Sequence, residues 1–255
     1  MLDPQSVFEM TVRAQAQRVF LLEHLIPDEP GYSLLCGRPG IGKSILALNL
    51  CCALDTGTPF LGRSTIKSPV GYWTAEGSKR ALYDRLSIIK KRYPPTDDSL
   101  HLGVMSFPRL PGKESEFEAR LWGLKLVVID PVKFAIRGDY TRPMDALAFI
   151  DSLLKVSRRI GCSFLLVHHV RKSNPMSMIE PGDLDEVKGG TDYADQATSV
   201  LLLERQRQGH TPAGGFAPVN PDDRQLYFAK ARDSVVELPP LQLRFLRPRL
   251  EFEVK

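Results

Sequence analysis

The chain has 255 residues, 43% of them hydrophobic and 25% charged, which is enough to bury one large core. Its formal net charge of +4 permits a polyanionic partner but suits many cytosolic enzymes equally well. The four cysteines form no CxxC pair and no histidine-spaced cluster, which argues against a disulfide framework and a zinc site. No apolar run approaches membrane-spanning length and the N-terminus does not resemble a secretory signal, so we expect a cytoplasmic protein with no membrane partner.

Short apolar runs alternate with helix-like segments, a pattern typical of an α/β fold with a mostly parallel central sheet and helices on both faces. The runs predicted to be strands are 32–36, 70–75, 100–105, 124–129, 162–167 and 200–203. Residues 143–161 begin with proline, end with glycine and carry apolar residues at helical spacing, which predicts a crossover helix. We expect a single domain over residues 1–255, with an N-terminal helical segment in residues 1–25.

The pattern changes after residue 203 to short β-like pieces separated by proline-rich turns. These pieces are 225–229, 235–238, 241–245 and 250–254, and they predict a C-terminal antiparallel β extension over residues 225–255. Residues 172–188 and 208–223 lack sustained periodicity and are predicted to be loops. Residues 111–123 leave room for little more than two helical turns before the strand at 124–129.

A glycine-rich segment with the P-loop pattern follows the first of these strands and precedes a helix-prone run. Its residues are Gly37, Arg38, Pro39, Gly40, Ile41, Gly42, Lys43 and Ser44. In such a loop the glycines permit a tight turn that aims N–H groups at phosphate, the lysine reaches the β- and γ-phosphate oxygens, and the serine hydroxyl binds Mg²⁺. The segment therefore predicts a site for ATP and Mg²⁺, with a chance match to the pattern as the alternative.

Two acidic residues follow predicted strands. Asp130 ends the apolar run 126–129 in the Walker-B form and is predicted to hold Mg²⁺ through water, although a turn aspartate before Pro131 would look the same. No glutamate follows Asp130 directly, so Glu76, after the run 70–75, is the candidate base for the attacking water. The alternative for Glu76 is a glutamate that starts a helix.

This arrangement resembles the RecA-like ATPases, especially the hexameric replicative helicases of the DnaB and plasmid RepA type, an AAA_25-like group. The resemblance implies an ATP-hydrolysing motor that assembles as a homo-oligomer, as a hexameric ring, and translocates on single-stranded DNA. His168 and His169 directly follow the predicted strand 162–167, at the place where RepA-like helicases carry a histidine pair. The resemblance therefore implies that His169 senses the γ-phosphate. Two ordinary histidines, or a metal pair lacking its other ligands, are the alternatives.

Residues 228–232 resemble the Lys-x-Arg hairpin by which ring-forming members of this superfamily reach the neighbouring subunit's nucleotide. The resemblance implies that Lys230 and Arg232 act in trans on the γ-phosphate. A basic strand exposed to solvent is the alternative. Residues 189–191 are similar to a Gly-Ser segment of DnaB-like proteins, but Thr191 replaces the usual serine.

If DNA passes through a ring, the loops after the Walker-B strand and after the histidine pair occupy the DNA-facing positions. The basic residues of these loops are Lys133, Arg137, Arg142, Arg171, Lys172 and Lys188. They are expected to bind phosphates without reading sequence, with solvated surface charge as the alternative. Four acidic residues dilute the basic character of the second loop: Glu180, Asp183, Asp185 and Glu186. Their presence keeps open the alternative of a KaiC-like regulatory or assembly ATPase that does not translocate on DNA. A third hypothesis is a nucleotide-binding switch that scarcely hydrolyses.

Overall fold

The computed structural model describes residues 19–95, 100–104, 107–170, 182–187, 192–206, 220–234 and 236–255. Its strands are β1 (Phe20–Leu22), β2 (Ile26–Pro27), β3 (Gly31–Gly37), β4 (Val70–Thr74), β5 (Leu100–Val104), β6 (Leu126–Asp130), β7 (Ser163–His169), β8 (Ser199–Arg205), β9 (Asp223–Ala231), β10 (Leu241–Leu246) and β11 (Glu251–Val254). Its helices are α1 (Lys43–Thr56), α2 (Lys79–Ile89), α3 (Glu114–Leu121), α4 (Pro143–Ile160) and α5 (Asp192–Asp195). None of the helices in these ranges is long and apolar enough to cross a membrane.

One nine-stranded sheet organises the described residues, in the order β11-β10-β9-β8-β3-β7-β6-β4-β5. The strands from β8 to β5 are parallel to one another, whereas β9, β10 and β11 are antiparallel to their neighbours. The parallel sheet and the antiparallel C-terminal strands confirm the predicted α/β fold. Because β3, β4, β6 and β7 are parallel, their carboxyl ends meet at one edge of the sheet.

Helices cover both faces of the sheet because neighbouring residues of a strand point to opposite sides. Leu35 and Val128 contribute to a buried cluster with residues of α1 and α2. Leu34 and Val127, one position earlier, contribute to a second cluster with residues of α3 and α4. The parallel strands are therefore buried on both sides, which explains why they appear in the sequence as continuous apolar runs.

The predicted crossover helix is α4. Pro143 occupies its first turn and Gly161, with φ of 67°, ends it in the left-handed conformation. The residues of α4 that face the sheet are Ala146, Phe149, Ile150, Leu153 and Val156, all fully buried. Helix α3 is eight residues long, in agreement with the two turns expected before β6.

Two predictions of local structure are wrong. Residues 236–238, part of a predicted strand, form none, because Pro239 and Pro240 follow them and each lacks the N–H that a sheet ladder needs. Phe20–Leu22, within the predicted N-terminal helical segment, is a strand paired with β2. The remainder of that segment, residues 1–18, and most of the two predicted loops lie outside the described residues.

Candidate nucleotide-binding site

The glycine-rich loop connects the end of β3 directly to the first turn of α1. Gly42 caps α1 with φ of 111°, and Gly40 has φ of 72°, both in the left-handed region that favours glycine. A Cβ atom on Gly37 would lie only 2.5 Å from the carbonyl oxygen of Leu203. The loop thus exposes the N-terminus of a 14-residue helix, whose free N–H groups and positive dipole favour a phosphate.

Lys43 folds back over this loop. Its Nζ donates hydrogen bonds to the carbonyl oxygens of Gly37, at 2.8 Å, and Arg38, at 3.0 Å. Burial lowers the pKa of the Lys43 ammonium, and the charge of Asp130 acts in the opposite direction. The lysine is therefore placed on the loop and electrostatically linked to the acidic end of β6.

Asp130 is buried at the end of β6 beneath two hydroxyl groups. The hydroxyl of Tyr72 donates to Asp130 Oδ2, and Ser44 also forms a hydrogen bond with the carboxylate. Burial raises the pKa of Asp130, while the hydrogen bonds from Ser44 and Tyr72 oppose that rise. Ser44 and Asp130, predicted separately, thus meet in one cluster of oxygen ligands, the type that Mg²⁺ prefers, and the residues fit a magnesium site.

Tyr72 was not predicted as a site residue. It lies on β4, two residues before the strand ends, and is only 2% exposed. Burial beside Asp130 raises its pKa far above the ordinary tyrosine value, so the phenol stays protonated and donates. The one signal in the sequence is a hydroxyl inside an otherwise apolar strand, because a buried tyrosine needs a polar partner.

Glu76 stands two residues after β4, next to the end of β6. Thr74 and Asp130 are directly opposite each other in the two parallel strands. The Glu76 N–H donates to the hydroxyl of Thr74 at 3.1 Å, which fixes the start of the turn. The Glu76 carboxylate is half exposed, and its charge acts on both Asp130 and Lys43. The candidate base is therefore brought to the same edge as the P-loop.

The two histidines at the end of β7 point to opposite faces. His168 is buried on the α4 side of the sheet. The centre of its ring lies 4.7 Å from the ring centre of Tyr193 and 6.2 Å from that of Tyr140. His169 pairs with Gly37 in the register of β7 and β3 and faces the other side, where α1 begins. This placement favours His169 over His168 as the predicted sensor of the γ-phosphate, which remains a prediction. Within the described ranges no group of three or more His, Cys, Asp or Glu residues is arranged to bind a metal.

Lys230 and Arg232 lie away from the P-loop of their own subunit. Strand β9 is antiparallel to β8, and its residue Ala231 pairs with Ser199. The P-loop end of β3, Gly37, pairs instead with Leu203. Ser199 and Leu203 are four residues apart on β8, a distance of about 13 Å. There Lys230 Nζ donates to the carbonyl oxygens of Ala194 and Asp195, at 2.6 and 2.8 Å. Arg232 donates to the same Asp195 oxygen at 2.7 Å.

The predicted DNA-facing residues are distributed unevenly. Lys133 Nζ forms an ion pair with Glu76 Oε1 at 2.9 Å. Arg142 is exposed, 3.9 Å from Asp139, and the backbone N–H of Arg137 donates to Leu110. Of these three residues, Lys133 is the one whose side chain contacts a residue of the nucleotide site within the described ranges. Arg171, Lys172 and Lys188 lie outside the described residues, as do residues 189–191.

The C-terminal strands support the P-loop from beside β8. The buried Arg224 of β9 donates from Nε to the carbonyl oxygen of Ile41 at 3.1 Å. A Cβ atom on Gly42 would meet the ring of Phe252, on β11, at 2.7 Å. Asn49 of α1 donates to the carbonyl oxygen of Leu250 at 2.8 Å. None of these three contacts was predicted, and the one visible signal in the sequence is Arg224, an arginine directly before the predicted strand 225–229.

Together these features define a P-loop nucleotide-binding protein with a RecA-like sheet, in which the acidic residue of β6 and the glutamate after β4 flank the loop. The model of the AAA_25 family, an AAA domain, matches residues 12–175, and the chain belongs to that family.

Two of the solved structures that share the fold illustrate the similarity. The ATPase domain of G40P superposes with a TM-score of 0.67 at 13% identity, over 98% of this chain and 97% of that one. A DnaB-like replicative helicase, solved in a study of its interactions with primase, superposes with a TM-score of 0.65 at 13% identity, over 88% of this chain and 57% of that one. No curated protein matches the sequence.

Proposed function

We propose that this chain is an ATP-hydrolysing motor of a ring-forming replicative DNA helicase of the RepA type, which translocates on single-stranded DNA. The observation that carries the proposal is the convergence of Ser44, Asp130 and Glu76 around the P-loop. A magnesium ligand set and a carboxylate beside it are what phosphoryl transfer to water requires. The fold shared with the G40P and DnaB-like ATPase domains directs the proposal toward helicases.

The roles follow from position. The N–H groups at the start of α1 bind the phosphates, and Lys43 moves its hydrogen bonds from the loop carbonyls to phosphate oxygens. Ser44 and Asp130 would hold Mg²⁺, which neutralises charge on the phosphate oxygens. Glu76 accepts a proton from the attacking water, and His169 donates to the γ-phosphate.

Lys230 and Arg232 complete the site from a neighbouring subunit. Their separation from the P-loop of the same chain supports this role, since a contact with a γ-phosphate would then be made to the nucleotide of a neighbouring subunit. A cation supplied by the neighbour stabilises the transferring phosphoryl group and makes hydrolysis depend on assembly. The assembly proposed is a hexameric ring with DNA in its centre.

The test is ATP turnover with and without single-stranded DNA, at low and high salt, together with a mass measurement of the assembly. DNA is expected to raise turnover at low salt and to lose that effect at high salt, because phosphate contacts release counterions. Glu76→Gln is expected to bind ATP but to hydrolyse it at least about a hundredfold more slowly.

Other results lead to other functions. Turnover that ignores DNA at low salt contradicts the helicase proposal and favours the KaiC-like regulatory or assembly ATPase. Negligible turnover in the wild-type assembly, with ATP still bound, favours a nucleotide switch. The mass measurement separates a failure to assemble from either of these outcomes.

A further inference from the structure

An ion pair joins the candidate base to the loop that is predicted to meet DNA. Lys133 Nζ lies 2.9 Å from Glu76 Oε1, and it also lies 4.7 Å from the centre of the Phe134 ring. Both partners are accessible, with 31% of the Lys133 side chain and 53% of the Glu76 side chain exposed. Lys133, proposed to bind DNA, therefore contacts Glu76, proposed to activate the water for hydrolysis.

The fold fixes the backbone of both partners and leaves only their side chains free. Glu76 is held by the hydroxyl of Thr74, which accepts from the Glu76 N–H at 3.1 Å and donates to its carbonyl oxygen at 3.2 Å. Lys133 belongs to the single turn of 3-10 helix Val132–Phe134 that follows β6. Since β4 and β6 are paired up to their last residues, the two turns stay adjacent.

The ion pair opposes the action of Glu76 as a base. A carboxylate accepts a proton from water through an oxygen lone pair, and here an oxygen of Glu76 already accepts from an ammonium group. Glu76 is thus held away from its proposed role while Lys133 is bound to it.

The contact is weak enough to be exchanged. An ion pair between partly exposed groups shifts an equilibrium by only about fivefold or less. A phosphate of a nucleic acid presents the same kind of oxygen ligand to an ammonium group, and several phosphates along one strand bind together. DNA in the proposed central channel is therefore able to compete with Glu76 for Lys133.

From this geometry we infer that Lys133 is the positioning residue that couples DNA binding to hydrolysis, by exchanging Glu76 for a phosphate of single-stranded DNA. The inference rests on the proposed function and names the contact by which DNA stimulates turnover. In the absence of DNA, Lys133 restrains Glu76. With DNA bound, Lys133 contacts the phosphate and Glu76 turns to the attacking water.

The first test measures ATP turnover of the assembled chain at saturating single-stranded DNA and without it. Lys133→Met is expected to raise DNA-free turnover about two- to fivefold and to abolish stimulation by DNA. The matched control is Lys125→Met, because Lys125 pairs with Asp28 at the same 2.9 Å but lies at the other end of β6. That control is expected to keep the wild-type turnover and the wild-type stimulation.

The second test measures affinity for a labelled single strand without ATP, by fluorescence anisotropy. If Glu76 and DNA compete for Lys133, Glu76→Gln binds DNA about two- to fivefold more tightly than the wild type. The gain disappears when Lys133→Met is also present, which a double-mutant cycle detects. Asp28→Asn removes a similarly placed charge from the Lys125 pair and is expected to leave DNA affinity unchanged.

The outcomes separate this inference from the proposed function. A wild type that DNA does not stimulate contradicts both. A stimulated wild type whose Lys133→Met variant keeps the same basal turnover and the same stimulation overturns only the role of Lys133. A fall in DNA-free turnover in Lys133→Met also overturns it, since Lys133 would then assist the nucleotide chemistry directly.

Discussion

Asp130 is a buried carboxylate that hydrogen bonds stabilise at the proposed magnesium site. It receives hydrogen bonds from Tyr72 and Ser44, yet burial still raises its pKa. The hydroxyl groups offset part of the cost of taking the charge out of water. A bound cation would offset more of it, so nucleotide with Mg²⁺ is expected to stabilise the fold through this residue.

Tyr72→Phe tests the hydroxyl group. The variant leaves the buried Asp130 with one donor fewer, so we expect a loss of about 1–3 kcal/mol in the free energy of unfolding. We also expect a several-fold rise in the Mg²⁺ concentration that gives half-maximal turnover, because the carboxylate is less ionised and less well oriented. Urea unfolding and a magnesium titration of ATPase activity measure the two effects.

Tyr32→Phe is the control, since Tyr32 is also fully buried and donates to a backbone carbonyl, that of Tyr193, at 2.8 Å. It is expected to lose stability without a change in magnesium dependence. An equal change in magnesium dependence in both variants would assign the effect of Tyr72 to stability alone.

Asp130→Asn has an expected dependence on pH. The pKa of Asp130 in the folded protein lies above its usual value of 3.8. Protonated Asp130 therefore contributes to the free energy of unfolding fully below pH 3.8, and this contribution is lost as the pH rises through the folded-state pKa. Asparagine does not ionise, so the Tm of the variant relative to the wild type should increase as the pH rises from about 4 through the folded-state pKa of Asp130. Thermal unfolding without nucleotide measures it, and a difference that is constant with pH contradicts the prediction.

The C-terminal strands act as a support for the nucleotide site. Arg224 holds the Ile41 carbonyl, and the ring of Phe252 contacts Gly42, so two elements far along the chain touch both sides of the P-loop turn. The φ angle of Gly42 lies in the left-handed region, and the ring of Phe252 lies where a Cβ atom would be. Any other residue at position 42 would therefore have a strained backbone and would clash with that ring.

Arg224→Met tests this support. Methionine keeps the aliphatic bulk but cannot donate to Ile41, so we expect the affinity for ADP to fall about tenfold, or about 1.4 kcal/mol, while the fold remains. Calorimetric titration with ADP measures it. Arg244→Met is the control because Arg244, on the adjacent strand, pairs instead with Asp223. Equal ADP affinity in the two folded variants would leave Arg224 without a role at the P-loop.

The sequence was sufficient for those features that depend on local pattern. Apolar runs predicted the parallel strands, and the P-loop spacing placed Lys43 and Ser44 at the start of a helix. The contacts of Arg224 and Phe252 with the loop were not predictable, because they depend on the order of strands in the sheet and join residues about 200 positions apart. The strand expected over 235–238 is absent from its described residues, 236–238, because the following prolines override their β propensity.

At the scale of the whole molecule, the candidate site and the candidate trans-acting residues lie at opposite edges of one sheet. The P-loop follows the carboxyl end of β3, whereas Lys230 and Arg232 stand beside the amino end of β8. Lys230 donates to the carbonyl oxygens of Ala194 and Asp195, and Arg232 donates to that of Asp195, so both side chains are presented from fixed positions.

Mixed assemblies test whether these residues act across an interface. Subunits with Arg232→Ala keep their P-loop, and subunits with Lys43→Ala keep their arginine, so mixing the two inactive variants should restore part of the ATPase activity. At most about a quarter of the sites contain both intact partners in random equal mixtures, which sets the expected recovery. No recovery, with co-assembly shown by mass measurement, would leave Arg232 as a surface residue.

The separation of the two edges also bears on symmetry. An interface that joins one edge of a subunit to the opposite edge of the next is head-to-tail, so it cannot be the self-complementary contact of a two-fold dimer. Repeated head-to-tail contacts close into a ring when the rotation between subunits divides a full turn and continue as a helical filament when it does not. Small changes in the angle at this interface would therefore convert a closed assembly into an open one without any change at the nucleotide site.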